Sequence, residues 1–507
     1  MSLRIVIRLL LKRLGQTYKK MRKEEKTTVN RSINDYQSLS DSEFIHALYR
    51  DILERHGDPE GVAHHLERLK NRMASRMDTL EVFLNSEEYR LQCGESSKTD
   101  EVILSPSLTP AQREELYFSN VLHQNFYGEE YACCAWRDSD TTHLAKADYI
   151  TKYFKVRKVL DVGCSYGRLV NELRKRGIDA WGIDYSEHFA KNADRKVRDY
   201  IKVMKVEEIS CNINEKFDLV VCMEVFEHLP LSIIETTIEE LKKICRGQML
   251  LTIPSHGPNI QGRYGFPMHH VPDWVRCTRE NCTFTVIPIH KSTGIPDCGH
   301  VTLASYQWWT DKFIQHGLIR NYALEEAIVY DEASKVYQMG WCVYVLHEPM
   351  ESKIVVGGLS EDQLGRGFVC QQAASERKIA WTGSSAEFFL KPGDDSQGIL
   401  TLLLFGGPEE LVYPRPYSIR LYQLNDDIDH IERIVLQEVR EEILPGVQKE
   451  VTIDVRESAF DRKKLLCCEI EAKKTWIPAK IFNSFVWGNN ERDERERGIG
   501  FSEANLL

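Results

Sequence analysis

The sequence predicts a multidomain chain with three folded parts: a small all-α domain, a central α/β domain and a C-terminal β-sandwich. Length is the first observation, because 507 residues exceed what one hydrophobic core usually organises. The second is an alternation of strand-like and helix-like segments between Asn120 and Glu348, the pattern of a parallel sheet flanked by helices. The third is a change after Lys353, where short strands follow one another across Gly, Pro and Asp turns without a long helix.

At 42% hydrophobic and 28% charged residues, the composition is that of a soluble globular protein. A formal net charge of -10 disfavours nucleic acid as a partner of the whole surface. The 14 cysteines include two adjacent pairs, Cys133-Cys134 and Cys467-Cys468, whose geometry suits no relaxed bridge. No cleavable signal peptide precedes them, so a reducing cytoplasm is the expected location.

Residues 1–35 form a basic arm. Its apolar run is broken by Arg4, Arg8, Lys12 and Arg13 and so falls short of the ~20 apolar residues of a membrane span. It reads either as an amphipathic contact with the inner membrane face or as a solvated tail. Residues 36–93 read as helices: Ser40 and Asp41 cap a run with Phe44, Ile45, Leu48, Ile52 and Leu53 at helical spacing. His56 to Gly61 breaks it. Further helices carry Val62, Leu66 and Leu69, then Leu80, Phe83 and Leu84. Residues 94–119 are polar with two prolines and read as a linker. Residues 120–350 make the α/β domain, whose short buried strands are Val159–Val162, Ala180–Ile183, Phe217–Val221 and Met249–Ile253. Tyr322–Ala327 and Gly340–Leu346 read as a closing antiparallel pair. Residues 255–299 are an insertion that should cover the site, and residues 351–507 are the sandwich.

The chemistry concentrates at the strand ends. Val159-Leu-Asp-Val-Gly-Cys-Ser-Tyr-Gly-Arg168 ends a strand at Asp161 and Val162, then brackets Cys164 between Gly163 and Gly167 before an amphipathic helix. Glycines serve where backbone must approach a ligand. Asp184 ends the next strand, where a carboxylate can accept both hydroxyls of a ribose or cap the helix from Ser186; Tyr185 can cover an adenine. A dehydrogenase fingerprint needs glycine where this chain has Ser165.

Together with Phe217-Asp-Leu-Val-Val-Cys-Met-Glu-Val-Phe-Glu-His-Leu-Pro230, these blocks resemble the class I S-adenosylmethionine-dependent methyltransferases, in the small-molecule branch that includes ubiquinone-pathway enzymes. The resemblance implies a Rossmann-like sheet of seven strands and S-adenosyl-L-methionine as cofactor. It implies that Asp161, Gly163, Cys164, Gly167 and Met223 surround the methionine moiety. Asp184 and Tyr185 would take the ribose and adenine, and Glu207 or Glu208 the adenine amino group.

Glu224, Glu227 and His228 sit past the fourth strand, where an acceptor hydroxyl must shed its proton, and His228 can be the base. The Glu-x-x-Glu-His spacing also resembles the divalent-metal motif of ubiquinone-pathway and small-RNA 2'-O-methyltransferases, which implies Mg²⁺ or a softer ion on these three residues. His300 either reaches the acceptor pocket, as the resemblance implies, or caps the following helix. Cys277, Cys282 and Cys298 with His300 could form a zinc site or remain reduced thiols. Trp274, Trp308 and Trp309 could stack on sugar or pack.

Two flanking resemblances bear on partners. Phe44 to Arg55, Asp58-Pro-Glu-Gly61 and Phe83 to Tyr89 resemble a domain of unknown function, similar to phycobilisome linkers, found in bacterial surface-polysaccharide proteins. Ile379-Ala-Trp-Thr-Gly383, Ala386 to Leu390, Trp476-Ile-Pro478 and Asp493 to Phe501 resemble a β-sandwich appended to enzymes of surface-glycan assembly. They imply docked partner proteins and a sugar hydroxyl on a glycan or lipid-linked sugar as acceptor. The sandwich either binds glycan through an exposed Trp381 or Trp476 or only packs against the catalytic domain. Small-molecule or RNA methylation, and a non-catalytic assembly scaffold, are the alternatives.

Overall fold

The computed structural model describes residues 36, 39–53, 55–71, 76–84, 102–105, 108–122, 140–255, 283–284, 287–290, 293–296, 299–329, 331, 343–349, 351–358, 362–374, 377–428, 430–475, 486–487, 491–492 and 497–507. The basic arm, Cys133, Cys134, Trp274, Cys277, Cys282, Cys298 and Trp476 lie outside these residues.

Three short helices make the N-terminal unit. Asp41–Asp51 opens on a capping box, with Glu43 N donating to Ser40 Oγ and Ser40 N to Glu43 Oε2. Pro59–Lys70 is capped by Asp58, which accepts from Gly61 N at 2.7 Å. With Arg76–Leu84 they bury Phe44, Ile45, Leu48, Leu80 and Phe83 in one small core. His65 packs its ring against Tyr49 and Phe83.

Within the segment expected as a linker, residues 102–105 and 108–119 form part of the fold. Strand β1 (Val102–Ser105) pairs antiparallel with a strand of the expected insertion, Ile287–His290. Pro110–Leu116 is a helix because Thr109 and Gln112 form a capping box and Pro110 needs no amide partner in the first turn.

The central sheet runs through β2 (Lys158–Val162), β3 (Asp179–Asp184), β4 (Ile201–Val203), β5 (Phe217–Met223), β6 (Cys245–Thr252), β8 (Ile319–Arg320) and β9 (Val343–His347), with β7 being Ile287–His290. Its seven strands lie in the order β4-β3-β2-β5-β6-β9-β8. β4 to β6 pair in parallel, and β9 is antiparallel to both β6 and β8. Strand alternation splits the apolar residues between two layers. Leu160, Val162, Val220 and Cys222 join helices Leu231–Ile244 and Tyr306–Gln315 on one face, while Val159, Leu219 and Val221 join helices Asp140–Tyr153 and Arg168–Lys175 on the other. Connections reverse between β2 and β5, which opens a crevice at their carboxyl ends.

The closing pair exists, but Tyr322–Ala327 is not part of it. Residues Tyr322–Val329 are a helix, and the short strand beside β9 is Ile319–Arg320. The helix is fixed by its polar groups. Asn321 Oδ1 accepts from Leu324 N, and buried Glu325 takes two bonds from Arg320 and one from Val345 N.

Among the described residues, the C-terminal part has two antiparallel sheets, of six and four strands, facing each other across one apolar core, and a separate two-stranded pair, Val486–Trp487 with Glu491–Arg492. Leu400, Leu402, Leu404 and Phe501 come from one sheet, and Phe388, Ile419, Leu421 and Ile470 from the other. Trp381 does not present a glycan platform. It is 5% exposed, paired across the sheet with Gly500, whose missing side chain leaves room for the indole.

Cys467 and Cys468 point to opposite faces of their strand, Cys468 into the sandwich core and Cys467 outward. That outer face, with Phe389, Tyr422 and Leu424, packs on Ile314 and Ile319 of the central domain. Charges lock the joint. Arg433 bridges Asp311 of the central domain (3.3 Å) and Glu387 of the sandwich (3.0 Å), and Arg366 also holds Glu387 at 3.0 Å. Burial pushes the Glu387 carboxyl up, but Arg366 and Arg433 outweigh it and hold it below the usual range.

Removing Arg433 leaves Glu387 and Asp311 buried without their shared cation. Arg433→Ala is therefore expected to destabilise the chain by about 3–5 kcal/mol in urea denaturation. Because Glu387 titrates below its unfolded value, its contribution is present at neutral pH and lost as pH falls. Glu387→Gln should remove that acid-side loss, read as a flatter stability profile below about pH 5.

Candidate active site

The crevice between β2 and β5 is lined by a loop in unusual backbone geometry. Gly163 (φ 75°), Ser165 (φ 50°) and Gly167 (φ 69°) are all left-handed. A Cβ on Gly163 would stand 2.5 Å from Val225 Cγ2, and one on Gly167 2.4 Å from Ile201 Cδ1. Ser165 and Glu224 are the two non-glycine residues with positive φ among the described residues, and both stand at this crevice. Such strain persists where surrounding contacts hold it, often at functional sites.

Asp184 supplies much of that hold. One carboxylate oxygen accepts from Ser165 N and the other from Ser186 N, each at 2.8 Å. The amides of Gly163 and Cys164 both donate to Ile183 O. Asp184 thus ties the glycine loop to the end of β3 and shapes the turn into the next helix. Asp161 is buried at the end of β2, and Met223, 8% exposed at the end of β5, receives Tyr149 Oη at 3.8 Å. The Cys164 thiol does not face the crevice. It turns into the core against Gly182, leaving only its backbone in the loop.

Past β4, Glu207 is half-buried and Glu208 exposed on the turn Val206–Glu208. Burial, with Glu207 and Tyr185 nearby, pushes the Tyr117 phenol well above its usual range. Of the two acids, Glu207 is the one near Tyr117. Tyr185 itself is 43% exposed. Tyr117 and Leu116, which the reading of the sequence passed over, pack on Ile295 and Val301. Arg113, 1% exposed, donates to Val301 O at 2.6 Å. The Thr109–Gln112 capping signature was the available clue that this stretch is ordered.

Beside the loop stands a buried acid with two imidazoles. Val225, in contact with Gly163, leads into the turn Phe226–His228. Glu227 is fully buried, with Oε1 at 3.7 Å from His228 Nε2 and 3.9 Å from His300 Nε2. The histidine rings lie 4.9 Å apart. Backbone bonds hold the two strips together: Val301 N and Thr302 N both donate to Glu227 O. Ser305, not His300, caps the following helix.

Ligand atoms of Glu227, His228 and His300 all lie within 4.8 Å of one another, and Glu224 is not part of the group. Two of the three residues that the spacing suggested, Glu227 and His228, are thus grouped with His300, while Glu224 has a left-handed backbone and its amide meets Thr252 O. Two imidazoles and one carboxylate suit a divalent transition ion better than Mg²⁺, which favours oxygen ligands. Trp308 and Trp309 are buried against Phe226, Phe284 and Phe313 and present no stacking face. The zinc alternative rests on cysteines outside the described residues.

Residues 159–248, which run from the glycine strand through the acid–imidazole turn, match the family model described as a methyltransferase domain. The chain carries a methyltransferase domain. Residues 30–93 match the model of a domain of unknown function (DUF4214). Ubiquinone biosynthesis O-methyltransferase of Methylococcus capsulatus is 39% identical over 79 residues, 15% of this chain and 33% of that protein. The like-named protein of Psychrobacter arcticus is 32% identical over 122 residues, 23% of this chain and 45% of its own. The chain thus spans about a third of the length of the first of these relatives. The crystal structure of the 1,6-didemethyltoxoflavin-N1-methyltransferase of Burkholderia thailandensis aligns with 13% identity and a TM-score of 0.30, over 48% of this chain and 92% of that one. Among the described residues, no helix is long and apolar enough to cross a membrane.

The glycine loop makes a direct test of the methyltransferase domain's architecture. Gly163→Ala adds the ~1–2 kcal/mol of a left-handed L-residue to a collision with Val225. Adding Val225→Ala should restore the collision part only, so the double variant melts between the single variant and wild type.

Proposed function

We propose that this chain is an S-adenosylmethionine-dependent O-methyltransferase acting on a sugar hydroxyl during assembly of a cell-surface glycan. The observation that carries the methyl-transfer reading is the contact between two halves of one crevice. A glycine loop tied to Asp184 touches Val225, which opens the turn bearing Glu227 and His228.

The residues fit the cofactor by their chemistry. The loop admits no side chain at 163 or 167, and on this reading Asp184 is the residue for the ribose hydroxyls and Glu207 the one for the adenine amino group. When bound, S-adenosylmethionine supplies an activated methyl group on a sulfonium. His228 prepares the acceptor. Its Nδ1 lies 3.3 Å from Gly299 O, which favours a proton on Nδ1 and makes Nε2 the nitrogen that would take the hydroxyl proton. Glu227 then stabilises the resulting imidazolium, and His300 helps enclose the acceptor oxygen. A divalent transition ion on Glu227, His228 and His300 would instead acidify the hydroxyl directly.

The relatives named as O-methyltransferases support oxygen as the acceptor atom. The sugar rests on the resemblance of the flanking helical and sandwich domains to those of glycan-assembly proteins, an association and not site chemistry. On the same reading the basic arm holds the protein at the cytoplasmic membrane face, beside lipid-linked acceptors, while the helical and sandwich domains dock partners.

The test is transfer of labelled methyl to a glycan extract, a lipid-linked glycan, a ubiquinone-pathway phenol and RNA. Label should appear on carbohydrate, and His228→Ala should slow transfer about 10²–10⁴-fold with cofactor affinity unchanged. Label confined to phenol or RNA would overturn the acceptor. Undiminished transfer by the variant would overturn the role of His228.

A further inference from the structure

Away from the crevice, the sandwich carries a second pocket of about 280 Å³. That is near the lower end of the ~300–1,000 Å³ typical of small-ligand sites. It lies where the loop before strand Arg415–Leu424 meets the residues after strand Leu466–Ala472, and Leu411, Val412, Tyr413, Arg415 and Lys474 line it.

Its chemistry is unusual for a surface dimple. Arg415 is 5% exposed, its Nη2 donates to Lys474 O, and its Nε has no hydrogen-bond partner. Neither Arg415 nor Lys474 pairs with a carboxylate among the described residues, whereas Lys473 next door pairs with Glu471. Burial alone pushes the Arg415 guanidinium down from its ordinary range, with no acid opposing the shift. A buried guanidinium without a counter-charge is costly, and such groups call for a ligand or an ion. At the mouth, Val412 is 82% exposed and Tyr413 71%. The Lys474 ammonium lies 5.9 Å from the Tyr413 ring centre. The other described rings named above in this sandwich, on Trp381, Phe388, Phe389, Tyr422 and Phe501, are buried.

We propose that this pocket binds an anionic saccharide, with Arg415 and Lys474 holding its carboxylate or phosphate and Tyr413 stacking on the apolar face of the sugar ring. Two cations with no facing acid select an anion, and guanidinium is well shaped for carboxylate and phosphate. An exposed ring gives a flat apolar platform at small entropic cost. The pocket admits one ring rather than an extended ligand. This binding does not depend on methyl transfer, and its failure would leave the crevice chemistry untouched.

Calorimetry on the full chain decides it, with a galacturonate trisaccharide, glucose 6-phosphate, neutral cellotriose and inorganic phosphate as probes. At least one acidic sugar should bind saturably, and which one tells carboxylate from phosphate. Affinity should fall at least tenfold in Tyr413→Ala and in Lys474→Gln, both surface changes that leave the melting temperature unchanged. Arg415→Gln should abolish binding; if it fails to fold, the other two variants carry the test. Equal binding of cellotriose, equal binding of phosphate alone, no saturable heat with either acidic sugar, or heat unchanged in the variants would each overturn the proposal.

Discussion

One carboxylate organises the crevice. Asp184 sits at the end of β3, yet its two oxygens reach a loop amide from β2 and the first amide of the next turn. That acceptor helps to hold Ser165 in a left-handed backbone between two left-handed glycines. The strain in the loop and the charge at the strand end sustain each other. A residue that fixes the loop shape through its own hydrogen bonds gives the crevice a wall that is formed before any ligand arrives.

The second half of the crevice is positioned by contact with the first. Gly163 has no room for a side chain because Val225 occupies it, and Val225 opens the turn that carries Glu227 and His228. From the other side, the strip at Val301 and Thr302 is sewn to Glu227 by two amides, and Arg113 anchors that strip from the preceding helix. Burying a carboxylate completely is expensive unless charge or hydrogen bonding answers it. Here two imidazoles stand within 3.9 Å of Glu227. That pairing gives the site its capacity to accept a proton or a metal ion.

Much of this was readable in the chain because it is local. Strand periodicity, the Gly163–Gly167 spacing and acids at strand ends follow from short-range rules, and they located Asp161, Asp184 and the turn at 227–228 before any geometry. Long-range pairings were not readable. His300 meets Glu227 because backbone bonds bring distant strips together, which local spacing does not reveal. The apolar run at Tyr322 reads as a strand, but buried Glu325 answering Arg320 makes it a helix. Trp381 looked available as an exposed aromatic until its glycine neighbour across the sheet left space to bury it. Composition marked residues 94–119 as a linker, although Thr109, Pro110 and Gln112 spell a helix start.

The whole account depends on Asp184 serving both the loop and the methyl donor. Calorimetric titration of the purified chain with S-adenosylhomocysteine, alongside Asp184→Asn, measures that dependence directly. The account predicts saturable one-to-one binding by wild type and a loss of at least tenfold in the variant, whose amide nitrogen cannot accept from the Ser165 or Ser186 amide. Absence of saturable binding by wild type, or equal affinity in the variant, would contradict it.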